Sequence, residues 1–338
     1  MSIATNPLEP KGEKQGACQN VGTRPTTTPD NKTTRRAGQD NKRMSRRKFL
    51  GKMAWGTVGL PLACAIDAVA IEPHWVDIVQ VELPLAHLPD SWVGKKIVQI
   101  SDLHCSRVVK PSYLRRCVEQ VNAQQPDIIV LTGDYITYEG KHGYKHKVID
   151  VLAHLKAKQG SYACLGNHDY GIVTRVHLGR QALRDYWTAG LGHAGIHVLR
   201  NQAHALPVDG QPLWIAGLGD LWAGDFRPAQ TFDQIPTEQA RIALVHNPDA
   251  VERLIDYQVG ALLCGHTHGG QVHLPLLGPP FLPIRNRQYY AGHFMVGQTP
   301  LYVNRGLGRL GRIRFNCRPE ITVFTLAQPT AAIEDSAA

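Results

Sequence analysis

The chain has no Cys-x-x-Cys pair, and its seven cysteines make an odd number. Both features argue against a disulfide scaffold and against a structural zinc site. It also lacks a clean apolar run of membrane length. Met53 to Ala70 is broken by Gly56, Gly59, Pro61 and Asp67, which makes it a poor span by length and polarity. From Pro73 to Leu326 there is no internal repeat and no low-complexity block, so this stretch reads as one domain. That stretch has little net charge as well. The formal charge is +9, but Met1 to Ala70 carries 12 basic and 5 acidic residues, leaving 25 and 23 for the remainder. The basicity belongs to the leader, and no nucleic-acid partner is expected for the folded part.

The leader has its own grammar. Residues 1–43 are polar and rich in Thr, Pro, Lys and Gln, the composition of a disordered basic segment. Residues 44–70 then run Ser45-Arg46-Arg47-Lys48-Phe49-Leu50, a modestly apolar stretch, and a small-x-small site at Ala68-Val69-Ala70. That order is expected of a twin-arginine (Tat) signal peptide or an N-terminal anchor. It implies the Tat export machinery as a partner, and a location in the periplasm or at the outer face of the cytoplasmic membrane. A disordered tail followed by a buried helix is the plainer reading. Met44 immediately precedes the signal and is an alternative start. Reading Leu62-Ala63-Cys64 as a lipidation site fits badly after Pro61. Cys18 and Cys64 lie in the leader. Of the rest, Cys164 and Cys264 sit in strand-like runs, where small buried thiols are common.

The domain, residues 74–327, alternates strand and helix before turning β-rich, and residues 328–338 read as a disordered tail. Strands are expected at Val76–Val81, Lys96–Ile100, Asp127–Leu131 and Ser161–Leu165. Helices are expected at Ser112–Gln124, capped by Ser112, and at Tyr144–Leu155 and Val173–Ala189. His197–Leu199, Ala203–Val208 and Leu213–Ala216 resemble a meander. Arg241–Val245, a short helix at Val251–Ile255 and Val259–Cys264 follow, then strands at Tyr289–Phe294, Leu301–Asn304 and Ile321–Leu326. The fold class is α/β (α+β): two packed mixed β-sheets flanked by helices.

Five of these strands run directly into chemistry-bearing loops. They end in Asp102-Leu103-His104, Gly133-Asp134, Gly166-Asn167-His168-Asp169, His246-Asn247 and Gly265-His266-Thr267-His268. Each segment alone has a bland explanation as solvated loop. Together, in order, they combine hard oxygen donors with imidazoles, which suits Fe, Mn or Zn rather than Ca or Mg.

This ordered set resembles the calcineurin-like metallophosphoesterase family over about Ile97 to Gln271. The leader, together with Asn304-Arg305-Gly306-Leu307-Gly308, resembles the exported YaeI/YkuE-like phosphodiesterase group within it. The resemblance implies a β-sandwich flanked by helices and two divalent or transition metal ions. One ion would be held by Asp102, His104, Asp134 and His268. The other would be held by Asp134, Asn167, His246 and His266, with Asp134 bridging. His168 would be the general acid for the leaving group, and Asp169 would either orient its ring or simply cap the loop. Arg107 and Arg305 are weaker candidates for binding substrate phosphate, each equally readable as a solvated arginine. Tyr135 and His273 are weaker candidates for lining the cleft. Trp214, Trp222 and Phe226 can contact an apolar substrate group or pack in a core. Leu274–Pro283 can touch a membrane surface or be an ordered loop.

The activity implied is hydrolysis of phosphodiester or pyrophosphate bonds in an envelope substrate, lipid- or cell-wall-linked. Two alternatives stay open. One is a UDP-diacylglucosamine pyrophosphatase-type hydrolase of lipid A synthesis, whose cytoplasmic nucleotide substrate conflicts with export unless an uncleaved leader keeps the domain inside. The other is a non-catalytic envelope-binding module that keeps the metal site.

Overall fold

A computed structural model of the chain describes residues 45–138, 143–172 and 181–329. The expected disordered leader 1–43 and almost all of the tail 328–338 lie outside the described residues. The chain divides into two units, Met1–Gly51 and Lys52–Ala338. Twelve strands in the second unit form two six-stranded sheets.

The first sheet has the order β1-β12-β2-β3-β4-β5, with β1 Asp77–Pro84, β2 Lys96–Ile100, β3 Ile128–Thr132, β4 Ser161–Cys164, β5 Ile196–Val198 and β12 Glu320–Ala327. Strands β2 to β5 are parallel, whereas β12 pairs antiparallel with β2. The second sheet has the order β10-β11-β9-β8-β7-β6, with β6 Gln202–Val208, β7 Gln211–Gly217, β8 Arg241–Leu244, β9 Ala261–Cys264, β10 Gly292–Val296 and β11 Thr299–Val303. Here β7, β8, β9 and β11 are parallel.

Alternation along the central strands sends side chains into three cores. Ile97, Ile128 and Val130 from one sheet meet Leu213, Ile242 and Leu263 from the other, forming the layer between the sheets. The opposite faces are covered too, Val98, Ile129 and Leu131 by helices and Ala243, Val245 and Leu262 by short turns. Burial on both faces explains why β3 is an unbroken apolar run.

The two sheets of the expected fold are therefore present, with several local differences. The helix after β2 begins at Pro111 with Lys110 as N-cap, so Ser112 lies inside the first turn and does not cap it. Proline fits that first position because its φ is preset and its missing N–H has no helical partner there. The next helix spans Tyr144–Leu152, and a third spans Gln181–His193. The first part of the expected 173–189 helix lies outside the described residues. The expected meander divides between sheets. β5 closes the first sheet, while β6 and β7 form an antiparallel pair on the edge of the second. Val251–Ile255 is not an α-helix but part of two 3₁₀ turns, Pro248–Arg253 and Ile255–Tyr257.

The broken apolar run of the leader lies within one helical stretch, Arg46–His74, which is long and apolar enough to cross a membrane by length and composition. Pro61 falls at the start of its segment Leu60–Ile66, where a proline costs least, and wider π turns flank that segment. Five cysteines of the domain, Cys105, Cys117, Cys164, Cys264 and Cys317, are free and buried.

Candidate metal centre

The parallel strands of both sheets end at one edge of the sandwich, and their loops converge there. This is where open α/β sheets place ligands. Asp102 and His104 follow β2, Asp134 follows β3, and Asn167 and His168 sit in a 3₁₀ turn after β4. His246 follows β8, and His266 and His268 follow β9. All seven proposed ligands and His168 are buried. Asp102, His104, Asp134, His266 and His268 all adopt positive φ, between 45° and 72°. Side-chain-bearing residues avoid that region, and such strain gathers at functional sites. Sequence periodicity carries no trace of it.

Close backbone packing lets the loops meet. A Cβ at Gly166 would lie 2.2 Å from an Asp134 carboxylate oxygen, and one at Gly265 would lie 2.3 Å from Asp102. Only glycine fits at either place.

Three groups of side chains have donor atoms mutually close enough to hold a metal ion. They are Asp102, His104 and His268; His104, Asp134 and His168; and Asp134, His246 and His266. In the first group His268 Nε2 lies 3.0 Å from His104 Nε2 and 3.4 Å from Asp102 Oδ1. Asp134 Oδ2 lies 3.5 Å from His104 Nε2 and 3.2 Å from His246 Nε2, so one carboxylate oxygen stands between two imidazoles of different groups. His266 Nδ1 is 3.1 Å from His246 Nε2.

Asn167 supplies a separate test of fit. Its Nδ2 donates to the Ile172 carbonyl at 2.6 Å, which fixes the amide orientation and leaves Oδ1 buried with no partner. A buried carbonyl without a donor is costly, and a cation would satisfy it. The mixed carboxylate, amide and imidazole set suits transition metals, as the residue types alone imply.

Electrostatics follow from burial and crowding. Burial opposes charge on His246, but Asp134 beside it and their hydrogen bond outweigh this and lift the imidazole to about 10. Burial also opposes charge on Asp134, yet the attraction of His246 and then His168 holds its carboxyl well below the usual range. Burial raises Asp102 to about 6, partly opposed by His246. His104 falls to about 3 through burial and then repulsion by His168, and His266 to about 3 through burial and then repulsion by His246. Neutral imidazoles beside an ionised Asp134 are the forms in which such side chains bind metal.

Backbone groups hold the ligands in place. His246 Nδ1 lies 2.7 Å from the Thr132 carbonyl, so that nitrogen carries the proton and Nε2 is directed at Asp134. Ser101 Oγ donates to Asp102 at 2.6 Å, and the His266 N–H donates to the same carboxylate. His168 Nδ1 lies 2.6 Å from the Thr137 carbonyl, and its ring meets that of His104 edge-on.

Asp169 does not touch the His168 ring. Its carboxylate accepts the N–H groups of Asp134 and Gly166 at 2.8 Å and of Tyr135 at 3.0 Å, tying two ligand loops together. Of its two readings, the geometry matches the loop cap. Tyr135 lies away from the cleft. It is fully buried, with its hydroxyl on the Cys164 carbonyl and its ring against Trp187. Arg305 is occupied by Glu320 and Asp77, which leaves it no role at a substrate phosphate. His273 is bonded to the Gly269 carbonyl and supports the His-x-His loop without lining the cavity. Arg107 lines a different cavity.

One residue escaped sequence reasoning. Asp220, after β7, is buried with Oδ2 unpartnered and its carboxyl raised to about 6 by burial, partly opposed by His246. The signal was there: Gly219-Asp220 ends a strand as Gly133-Asp134 does. Trp222 sets its ring edge-on to His266, with centroids 4.6 Å apart. It lines a cavity of about 630 Å³ that reaches Asp134, Asn167, His168, His266 and His268. Val272, Phe281, Leu282 and Leu310 give that cavity an apolar wall. Trp214 and Phe226 pack against the outer core of the second sheet.

The chain is similar to known proteins. The signature of the calcineurin-like phosphoesterases matches residues 95–270. The phosphodiesterase YaeI of Escherichia coli is 37% identical over 259 residues, covering 75% of this chain and 90% of that protein. The metallophosphoesterase YkuE of Bacillus subtilis is 37% identical over 295 residues, covering 84% and 98%. The UDP-2,3-diacylglucosamine pyrophosphatase LpxG of Chlamydia muridarum is 31% identical over 319 residues, covering 79% and 94%.

Proposed function

The chain belongs to the calcineurin-like phosphoesterase family, and from that premise we propose that it is a two-metal phosphodiesterase or pyrophosphatase acting on an envelope substrate. The observation that carries this reading is Asp134. Its Oδ2 stands 3.5 Å from His104 and 3.2 Å from His246, the placement a bridging ligand needs. Asp102, His104, Asp134 and His268 would hold one ion; Asp134, Asn167, His246 and His266 would hold the second. Bound metal would supply polarisation of a phosphoryl oxygen and a lowered pKa for the attacking water.

The remaining work falls to His168. With Nδ1–H donated to Thr137, the ring is fixed at the cavity wall with Nε2 3.9 Å from Asp134 Oδ2. A second proton carried at Nε2 is then placed to pass to the departing oxygen. Asp169 positions the Asp134 and Asn167 loops through its three N–H contacts. The apolar wall shelters the site from water and favours a substrate with an apolar group beside its phosphate.

Export by the twin-arginine route, with the helix Arg46–His74 retained as an anchor, completes the reading. Retention is supported by how the helix end is held. The Ala68 carbonyl accepts the Arg314 N–H at 3.0 Å, and buried Glu72 accepts the N–H groups of Asn316 and Cys317. Cleavage after Ala70 would remove the first of these contacts. A second reading, hydrolysis of an acylated sugar-nucleotide pyrophosphate as in the relative LpxG, is favoured by the same apolar wall. Fractionation decides between them, because a domain wholly outside the cytoplasmic membrane would have no access to a cytoplasmic nucleotide.

The direct test is hydrolysis of an aryl phosphodiester by protein loaded with Mn, Fe or Zn. Wild type should turn over, Asp134→Asn should be inactive, and His168→Ala should keep its metal but lose roughly 10²–10⁴-fold in rate. No turnover with any of these ions would point to a binding module instead.

A further inference from the structure

A second cavity, of about 440 Å³, lies at the root of the N-terminal helix. It is lined by Arg107, Lys110, Arg309 and Arg312 with Val69 and Val108, so four cations meet there with no carboxylate. Arg107, Lys110 and Arg312 are exposed and make no side-chain ion pair among the described residues. Arg309 is different, because it is 4% exposed and has no acidic partner among the described residues. Its guanidinium spends Nη1 on the Pro73 carbonyl at 3.2 Å and turns Nη2 towards His74, while Nε has no partner. A buried arginine without a counter-ion is costly unless an anion completes it. The metal centre does not use any of these four side chains.

Location identifies the anion. Val69 belongs to the membrane-length helix, whose residues Leu60, Leu62 and Ile66 point outward without cover. Ile313, next to the Arg314 N–H that holds Ala68, is 47% exposed. The basic cavity is thus joined to an apolar surface, the pairing of a bilayer's acyl and headgroup layers. We propose that this cavity binds the phosphate headgroup of an anionic phospholipid and seats the domain on the membrane surface. The site lies outside the catalytic centre and rests only on the reading of Arg46–His74 as a retained anchor.

The test uses full-length protein in nanodiscs of phosphatidylcholine with and without phosphatidylglycerol, followed by native mass spectrometry of retained lipids. Wild type should retain phosphatidylglycerol and not phosphatidylcholine. Arg107→Ala with Arg312→Ala should weaken retention about thirty-fold, on the order of five-fold per cation removed, with an unchanged melting temperature. Equal retention by wild type and the double variant would overturn the site while leaving the anchor intact. Protection of the cavity by inorganic phosphate alone, with no lipid preference, would overturn the lipid assignment. Recovery of the protein entirely in the soluble cell fraction would overturn both anchor and site, with the phosphodiesterase assay left to judge the catalytic reading.

Discussion

The two sheets contribute unequally to the centre. Loops of the first supply every proposed oxygen donor, Asp102, Asp134 and Asn167, together with His104 and His168. Loops of the second supply His246, His266 and His268, all imidazoles. The means of holding them differ as well. The carboxylates of Asp102 and Asp134 are fixed by N–H and O–H donors, including the His266 N–H from the opposite sheet and the His168 N–H. His246 is fixed through a carbonyl, and that carbonyl, Thr132, also belongs to the opposite sheet. Each half is therefore aligned partly by the other, so the packing of the sheets and the geometry of the centre are coupled.

That coupling can be broken from either side. The largest effect is expected at Asp134, which stands near His104 of the first sheet and His246 of the second. Asp134→Ala should remove both ions and all measurable turnover, whereas His246→Ala should leave close to one ion per chain, read by elemental analysis. Equal stoichiometry in the two variants would mean that Asp134 does not bridge. Next comes Asp169→Ala, which strands three buried N–H groups. At about 1–3 kcal/mol for each unsatisfied donor, unfolding should become easier by roughly 3 kcal/mol or more, measured by denaturant titration. A smaller loss, on the order of 10–100-fold in metal affinity, is expected for Asp220→Asn if its carboxylate supports His246.

The smallest effect concerns pH in metal-free protein. The fold raises His246 from 6.5 to about 10, so the folded state holds this proton more tightly than the unfolded chain. Its stabilisation is complete below pH 6.5 and is lost as pH rises towards 10. The melting temperature of metal-free wild type should fall across that window, and that of His246→Gln should fall less.

Most of the centre was legible because its ligands end strands, and strand ends are visible in sequence as the point where an apolar run gives way to Gly, Asp or His. The five motifs stand out in this way, and the sheets that carry them follow from the alternation of runs. Partners escaped where three-dimensional neighbours decide the role. Tyr135 directly follows Asp134 and Arg305 lies in the Asn304–Gly308 run, yet the Cys164 carbonyl and Glu320 claim them, both distant in sequence. Asp169 sits one residue from His168 but turns the other way, because a 3₁₀ turn separates adjacent side chains. Asp220 follows β7, a strand whose end carries no imidazole to mark it. The division of β5 from β6 was equally invisible, since a three-residue strand fits either sheet.

The position of β12 has a consequence for how the protein is made. This strand, Glu320–Ala327, lies between β1 and β2 and hydrogen-bonds to both. The last proposed ligand, His268, leaves the ribosome about fifty residues earlier than Glu320, roughly 3–10 s at common synthesis rates, and the others earlier still. During that interval β1 has no neighbour, and β2, with Asp102 at its end, is an open edge. Assembly of the centre thus waits on the synthesis of β12, and a chain stopped before Glu320 would carry every proposed ligand without the sheet that aims them.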